Sequence, residues 1–210
     1  VLLRLRLPEK PTDWSEDQLF FFASELRSEA KPTIIAANKV DIDQAYTNYQ
    51  FLKLKFPGLT IIPCAADSEL ALREAAKAGL IEYVPGEKTF RATGDLNEAQ
   101  LGALDKIKSS VLDRSPSGTG VQEVLNYAVF NLLKYIAIFP AGSTKLMDSK
   151  GRILPDCFLL PQRSTALDFA YFLHTDFGKN FIKAIDARTK MALGKNHELK
   201  HRDALEIVAR

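Results

Sequence analysis

The 210-residue sequence predicts an α/β fold in two parts, a partial parallel sheet with flanking helices followed by a smaller strand-rich module. Three observations carry that expectation. Two short apolar runs rich in β-formers, Thr33-Ile34-Ile35-Ala36-Ala37 and Leu59-Thr60-Ile61-Ile62-Pro63, are each followed by a polar loop and a helical stretch, the order that makes neighbouring strands parallel. Ser115-Pro116-Ser117-Gly118-Thr119-Gly120 then breaks the pattern, and from Ile136 onward short strands and turns replace the long helices. Ligands of open α/β sheets sit beyond the carboxyl ends of the strands, which puts Asn38 to Asp41 and Cys64 to Asp67 on one rim.

The elements follow in order. Leu2, Leu3, Leu5 and Leu7 read as the exit of an element already under way, and the chain opens on Val1 rather than Met; both features predict a piece of a longer protein. Ser15 caps the first full helix, Gln18 closes its capping box and Trp14 staples onto Leu19. Leu19, Phe22, Ala23 and Leu26 keep helical spacing until Lys31-Pro32 stops it. A helical stretch from Gln44 to Phe56 ends at Pro57-Gly58, and Asp67 or Ser68 caps the next helix, which runs to Gly79. Asp95 with Glu98 starts another that reaches about Asp113, and Val121, Val124, Leu125, Ala128, Leu132 and Tyr135 make an amphipathic helix after the break. In the last part Ile136 to Phe139, Cys157 to Leu160, Phe181 to Ile185 and Leu205 to Val208 read as strands, and Asp148-Ser149-Lys150-Gly151 as a turn. One helix, Thr165 to Leu173, offers them an apolar partner through Leu167, Ala170, Tyr171 and Leu173.

Hydrophobic residues make up 46% and charged residues 26%, an ordinary globular balance, and a net charge of +2 does not demand a polyanionic partner. The distribution is more informative. Lys and Arg number 16 against 18 Asp and Glu before Ile136, and 12 against 8 from there on, so the basic surplus lies in the last third. No apolar run approaches the roughly 20 residues that cross a bilayer, and no charged-then-apolar leader opens the chain, so no membrane partner is expected. Cys64 and Cys157 lie in apolar stretches without Cys or His at metal-ligand spacing, and read as buried free thiols of a reducing cytoplasm rather than a metal site.

The chemistry concentrates at Asn38-Lys39-Val40-Asp41, an NKxD motif at the end of a buried strand. Guanine presents N1–H and its exocyclic N2 amine on one edge, so the Asp41 carboxylate can accept both hydrogen bonds, whereas adenine offers no such pair of donors. Asn38 can bond guanine N7 or tie the loop together, and the aliphatic stem of Lys39 can cover the base plane. As bare letters these are also ordinary turn formers; the strand context turns them toward a ligand. The second loop, Cys64-Ala65-Ala66, follows the next parallel strand, where a backbone N–H can reach guanine O6.

Those loops, with Glu69-Leu70-Ala71-Leu72-Arg73-Glu74-Ala75-Ala76-Lys77-Ala78-Gly79, closely resemble archaeal YchF-like GTPases of the Obg family. Leu7-Pro8-Glu9-Lys10-Pro11-Thr12-Asp13-Trp14-Ser15 resembles the end of that family's helical insertion, and Gly120-Val121-Gln122-Glu123-Val124 the helix before its last domain. Leu154-Pro155-Asp156, Ser164-Thr165-Ala166, Asp168-Phe169-Ala170, His174-Thr175-Asp176 and Ala184-Ile185-Asp186-Ala187-Arg188-Thr189 look like a TGS domain, a β-grasp module. The resemblance implies three regions: 1–32, the end of the helical insertion; 33–135, the second half of a P-loop-GTPase-type G domain with linking helices; and 136–210, the TGS domain. It implies GTP or GDP as ligand, with Asn38, Lys39, Asp41, Ala65 and Ala66 reading guanine, and a connection to the ribosome.

Two departures qualify it. Ala65-Ala66 stands where the family commonly has Ser-Ala, removing a hydroxyl that braces the loop, although a backbone contact from Ala66 can survive. No GxxxxGK[ST] occurs, so the sequence holds neither the loop that cradles phosphates nor the Mg²⁺ ligand, which the resemblance assigns to the intact parent, and no catalytic residue is identified. The rival reading is a non-enzymatic adaptor that binds RNA or protein through the TGS module. Arg188, Lys190, Lys195, Lys200 and Arg202 form either a phosphate-binding face for ribosomal or structured RNA or a solvated surface. Phe169, Tyr171, Phe172, Phe177 and Phe181 are a base-stacking surface or, for most of them, core. His174 reads as a helix-end residue satisfying terminal carbonyls rather than a catalyst.

Overall fold

The computed structural model describes residues 2–142, 146, 151–154 and 156–210. The chain divides into two compact units, 1–127 and 128–210.

In the first unit a short helix α1 (Leu2–Leu5) and a 3₁₀ turn (Pro11–Asp13) lead to α2 (Glu16–Ala30). The Ser15–Gln18 capping box forms as expected, but Trp14 packs edge-on against Phe22, with ring centroids 5.0 Å apart, and its indole N–H donates to Pro8 O at 2.7 Å. No residue of α2 is buried. Strand β1 (Ile34–Ala37) pairs in parallel with β2 (Thr60–Pro63), with α3 (Asp43–Lys55) as the crossover, so the expected βαβ unit is present. Helix α4 (Ala66–Lys77) follows β2 directly.

A small antiparallel hairpin, β3 (Ile81–Tyr83) and β4 (Phe90–Ala92), comes next; three-residue strands are too short to show alternation in the sequence. Helix α5 (Glu98–Ile107) is capped by Asn97, whose side chain accepts from Gln100 N–H while the Gln100 side chain accepts from Asn97 N–H, rather than by Asp95 with Glu98, because Glu98 is itself the first helical residue. A π-helical turn, Lys108–Leu112, extends it. Leu72, Ile81, Leu104, Val111 and Leu112 form the core with Val40 and Ala65, so both loops of the rim are anchored in the same apolar cluster. Helix α6 (Val121–Asn126) runs into a second π-helical turn, Tyr127–Leu132. Lys134, at φ +55°, ends the helical path, so Tyr135 opens a strand instead of closing the helix.

The second unit is a five-stranded mixed sheet in the order β6-β5-β9-β7-β8, formed by β5 (Tyr135–Pro140), β6 (Phe158–Pro161), β7 (Phe181–Asp186), β8 (Ala192–Leu193) and β9 (Ala204–Ala209). Among the described residues of this sheet, only β5 and β9 pair in parallel. Helix α7 (Ala166–Leu173) packs across it in the β-grasp manner, capped by Thr165 with Asp168. Its buried face is Ala166, Phe169 and Ala170 with Leu173 against the core, the i, i+3, i+4, i+7 set; Tyr171 falls outside that stripe and is exposed. A short helix α8 (Thr175–Lys179) follows it. The turn expected at 148–151 lies outside the described residues except for Gly151. Cys64 is buried as expected; Cys157, just before β6, is exposed instead.

Candidate functional site

The ends of β1 and β2 lie side by side, Ala37 against Pro63. Backbone bonds lace the loops that leave them: Cys64 N–H donates to Ala37 O at 2.9 Å and Val40 N–H to Cys64 O at 3.2 Å. Lys39 takes φ +68°, a left-handed conformation that costs a side-chain-bearing residue about 1–2 kcal/mol. Ile42 N–H, donating to Lys39 O at 3.0 Å, closes the turn that imposes it. Val40, only 6% exposed, plugs into the core, so the loop is pinned at its centre between Lys39 and Asp41.

Asn38 supplies the decisive link. Its Oδ1 accepts the Ala66 N–H at 3.0 Å, and the Cys64 thiol stands 3.8 Å from the same oxygen. Of the two roles open to Asn38, this is the loop-tying one. It also explains the start of α4: the N-cap position, Ala65, has no side-chain cap, and the helix's first N–H is satisfied by Asn38 from the neighbouring loop. Asp67 and Ser68 therefore sit inside the first turn and do not cap it. Ala65 N–H goes to Thr119 O at 2.9 Å. The next two amides, of Asp67 and Ser68, find no acceptor among the described residues.

Asp41 is half-buried and makes no hydrogen bond or ion pair among the described residues; the Lys39 head is likewise unengaged. Asp43, two positions on, is the carboxylate that pairs with Arg114, at 2.8 Å, and Arg114 lies over the Tyr46 ring at 5.2 Å. A cavity of about 300 Å³ between α3 and residues 110–116 touches Val40 but none of Asn38, Lys39 and Asp41, so it lies behind the loop.

Beneath the second loop is a polar cluster that the sequence did not disclose. Glu69, 4% exposed, accepts from Arg73 Nε at 2.6 Å, Tyr83 OH at 2.8 Å and Thr119 Oγ1 at 2.6 Å. Burial works to raise its pKa, but the hydrogen bonds from Thr119, Arg73 and Tyr83 and the Arg73 charge outweigh it and hold the carboxyl below its usual value. Burial and the bond to Glu69 push the Tyr83 hydroxyl up to about 12. Gly120 packs on the same loop: at φ +76°, a Cβ there would lie 1.9 Å from Pro63 O. The one sequence signal for this cluster was Thr119 between two glycines, which read as a break.

In the second unit, Arg188 Nη2 donates to Arg202 O at 2.7 Å and Lys190 Nζ to Ala187 O, so two of the five basic heads bind backbone carbonyls. Lys195, Lys200 and Arg202 make no side-chain hydrogen bond or ion pair among the described residues. Of the five aromatics, Phe169 and Phe181 are core; Tyr171, Phe172 and Phe177 are exposed, so most of the set is not core. Tyr171 lies on Gly178, where a Cβ would come within 2.3 Å of its ring. His174 has a structural role of the opposite polarity to that expected: Nδ1 accepts the Asp176 N–H at 3.2 Å and caps α8. Among the described residues no three His, Cys, Asp or Glu side chains group as a metal site, and no helix is long and apolar enough to cross a membrane.

Comparison with known proteins adds identity to geometry. Residues 36–142 match the family described as Obg-like GTPase YGR210-like, G4 motif-containing domain, and residues 136–209 match the TGS domain. An uncharacterized GTP-binding protein of Methanocaldococcus jannaschii is 42% identical over 204 residues, 97% of this chain and 51% of the relative. An uncharacterized GTP-binding protein of Schizosaccharomyces pombe is 27% identical over 175 residues, 79% of this chain and 42% of the relative. The crystal structure of a GTP binding protein from Pyrococcus horikoshii OT3 superposes with a TM-score of 0.65 at 43% identity, covering all of this chain and 55% of that one. The chain thus spans about half the length of the proteins it matches.

Proposed function

Since this chain belongs to the Obg-like GTPases of the YGR210-like type and carries a TGS domain, we propose that its first unit is the base-reading half of a guanine-nucleotide site. The observation that carries this reading is the 3.0 Å bond from Ala66 N–H to Asn38 Oδ1, which fixes two loops on one rim while Asp41 has no partner among the described residues. Asp41 accepts from guanine N1–H and the N2 amine, and the stem of Lys39 covers the base. Asn38 holds Ala66 N–H through Oδ1, which leaves its Nδ2 amine to donate to guanine N7. Ala65 and Ala66 form the wall on the second loop, and O6 faces the start of α4, where the Asp67 N–H, without an acceptor among the described residues, and the positive end of the helix favour an oxygen acceptor.

The sequence contains no GxxxxGK[ST]. On this reading, phosphate binding, Mg²⁺ and GTP hydrolysis fall to residues outside these 210, and the part described here supplies base selection. The test is a set of titrations of the protein with GDP, IDP and ADP. IDP lacks the N2 amine and should bind about tenfold more weakly than GDP, and ADP, which lacks both donors, weaker still. Equal affinities for the three would remove the reading.

For the second unit we propose an RNA-containing partner, ribosomal or otherwise structured, met by the basic surplus of the last third through Lys195, Lys200 and Arg202. Support is the charge distribution and the unengaged heads of those three side chains; Arg188 and Lys190 contribute less, being committed to carbonyls.

A further inference from the structure

We infer that Thr119, gripped by the buried Glu69, is a positioning residue of the guanine site: it sets where the start of α4 stands against Asn38 and Asp41. The inference rests on the guanine reading above. Thr119 is 1% exposed, although it lies in a turn between two glycines where a polar side chain would ordinarily face water. It uses both of its polar ends on α4. Its carbonyl accepts the Ala65 N–H at 2.9 Å, and its hydroxyl donates to Glu69 Oε2 at 2.6 Å. Ala65 and Glu69 are themselves joined by the first helical bond of α4, Glu69 N–H to Ala65 O at 3.1 Å.

The three residues close a ring around the helix's first turn. Ala66, the next residue after Ala65, is the one held by Asn38, so the position of Thr119 reaches the NKxD loop through two hydrogen bonds and one peptide unit. The approach is enforced from outside as well. At Gly118 a Cβ would lie 2.7 Å from Glu87 O, and at Gly120 1.9 Å from Pro63 O; both residues have positive φ. Arg73 and Tyr83 hold the Glu69 carboxylate so that one lone pair is left aimed at Thr119. A buried carboxylate is an expensive way to stabilise a helix that apolar packing could hold. Its placement in the first turn of α4, just after the second loop, gives it a task that packing cannot do, namely fixing the direction of N–H groups.

The experiment compares wild type with Thr119→Val, which removes the hydroxyl at nearly constant volume, and Thr119→Ser, which keeps it. Amide hydrogen exchange is followed residue by residue, and GDP and ADP affinities are measured in parallel. Thr119→Val should speed exchange at Ala65 and Ala66 about tenfold while the Leu72 amide stays protected, and should weaken GDP about tenfold without changing ADP. Thr119→Ser should restore both. Unchanged exchange at Ala65 and Ala66 overturns the inference, as does exchange that rises evenly along α4 with GDP affinity falling only by the unfolded fraction. Should Thr119→Val fail to fold, Tyr83→Phe, which removes another donor to Glu69, must loosen the same two amides; no change there overturns it equally. If wild type itself does not prefer GDP to ADP, the guanine reading has failed and takes the inference with it. If wild type prefers GDP and Thr119→Val behaves as wild type, the inference alone has failed.

Discussion

Tyr83 carries a residue-scale consequence of the buried cluster. Its hydroxyl donates to Glu69, and burial next to that carboxylate raises its pKa to about 12 from an ordinary value near 10. A group whose pKa is raised by folding contributes stability that is full below the unfolded pKa and is lost as pH rises through the folded one. The first unit should therefore lose stability between about pH 10 and 12, and Tyr83→Phe should flatten that loss. Ultraviolet titration should find one of the six tyrosines ionising near 12 in the wild type and missing in the variant. The NKxD letters Asn38, Lys39 and Asp41 stand out because they are adjacent, and the sequence left open how Asn38 is used; in the structure its Oδ1 ties down the second loop. Glu69 and Thr119 were not legible. They meet across 50 residues, and neither local spacing nor periodicity marks a carboxylate on a helix face as one that will be buried.

Elements were readable where their signals were local. The two apolar runs of β1 and β2, the Ser15–Gln18 box and the Thr165 start of α7 all follow from neighbours in sequence. The start of α4 was misjudged because its cap comes from Asn38, 28 residues away, and no helix-start rule sees that distance. Strands β3, β4 and β8, of two or three residues, are too short for alternation to register. Gly120 ties these elements together, since α6 can begin beside β2 only without a side chain at that position. Gly120→Ala should destabilise the first unit by on the order of 3 kcal/mol, from the left-handed backbone and the clash with Pro63 O together. Chemical denaturation of wild type and variant measures it; a loss under about 0.5 kcal/mol would show that the contact yields easily.

At the scale of the whole molecule, charge and chemistry are divided between two units. The first holds the rim proposed to read the base and slightly more acid than base; the second is a β-grasp with the basic surplus. If three or four phosphates are neutralised by the second unit, binding of the protein to structured RNA should fall with salt at a log-log slope near about −3. Titration at several salt concentrations measures that slope, and binding indifferent to salt would point to a protein partner instead. The central claim is that Asp41 makes the molecule a reader of guanine. An amide in its place accepts from N1–H but meets the guanine N2 amine with a donor, whereas xanthine offers a carbonyl oxygen at that position. The most direct measurement is therefore the affinity of wild type and Asp41→Asn for GDP and XDP. Asp41→Asn should lose GDP affinity by about a hundredfold, on the order of 3 kcal/mol, and come to prefer XDP. Unchanged GDP affinity, with no gain for XDP, would contradict it.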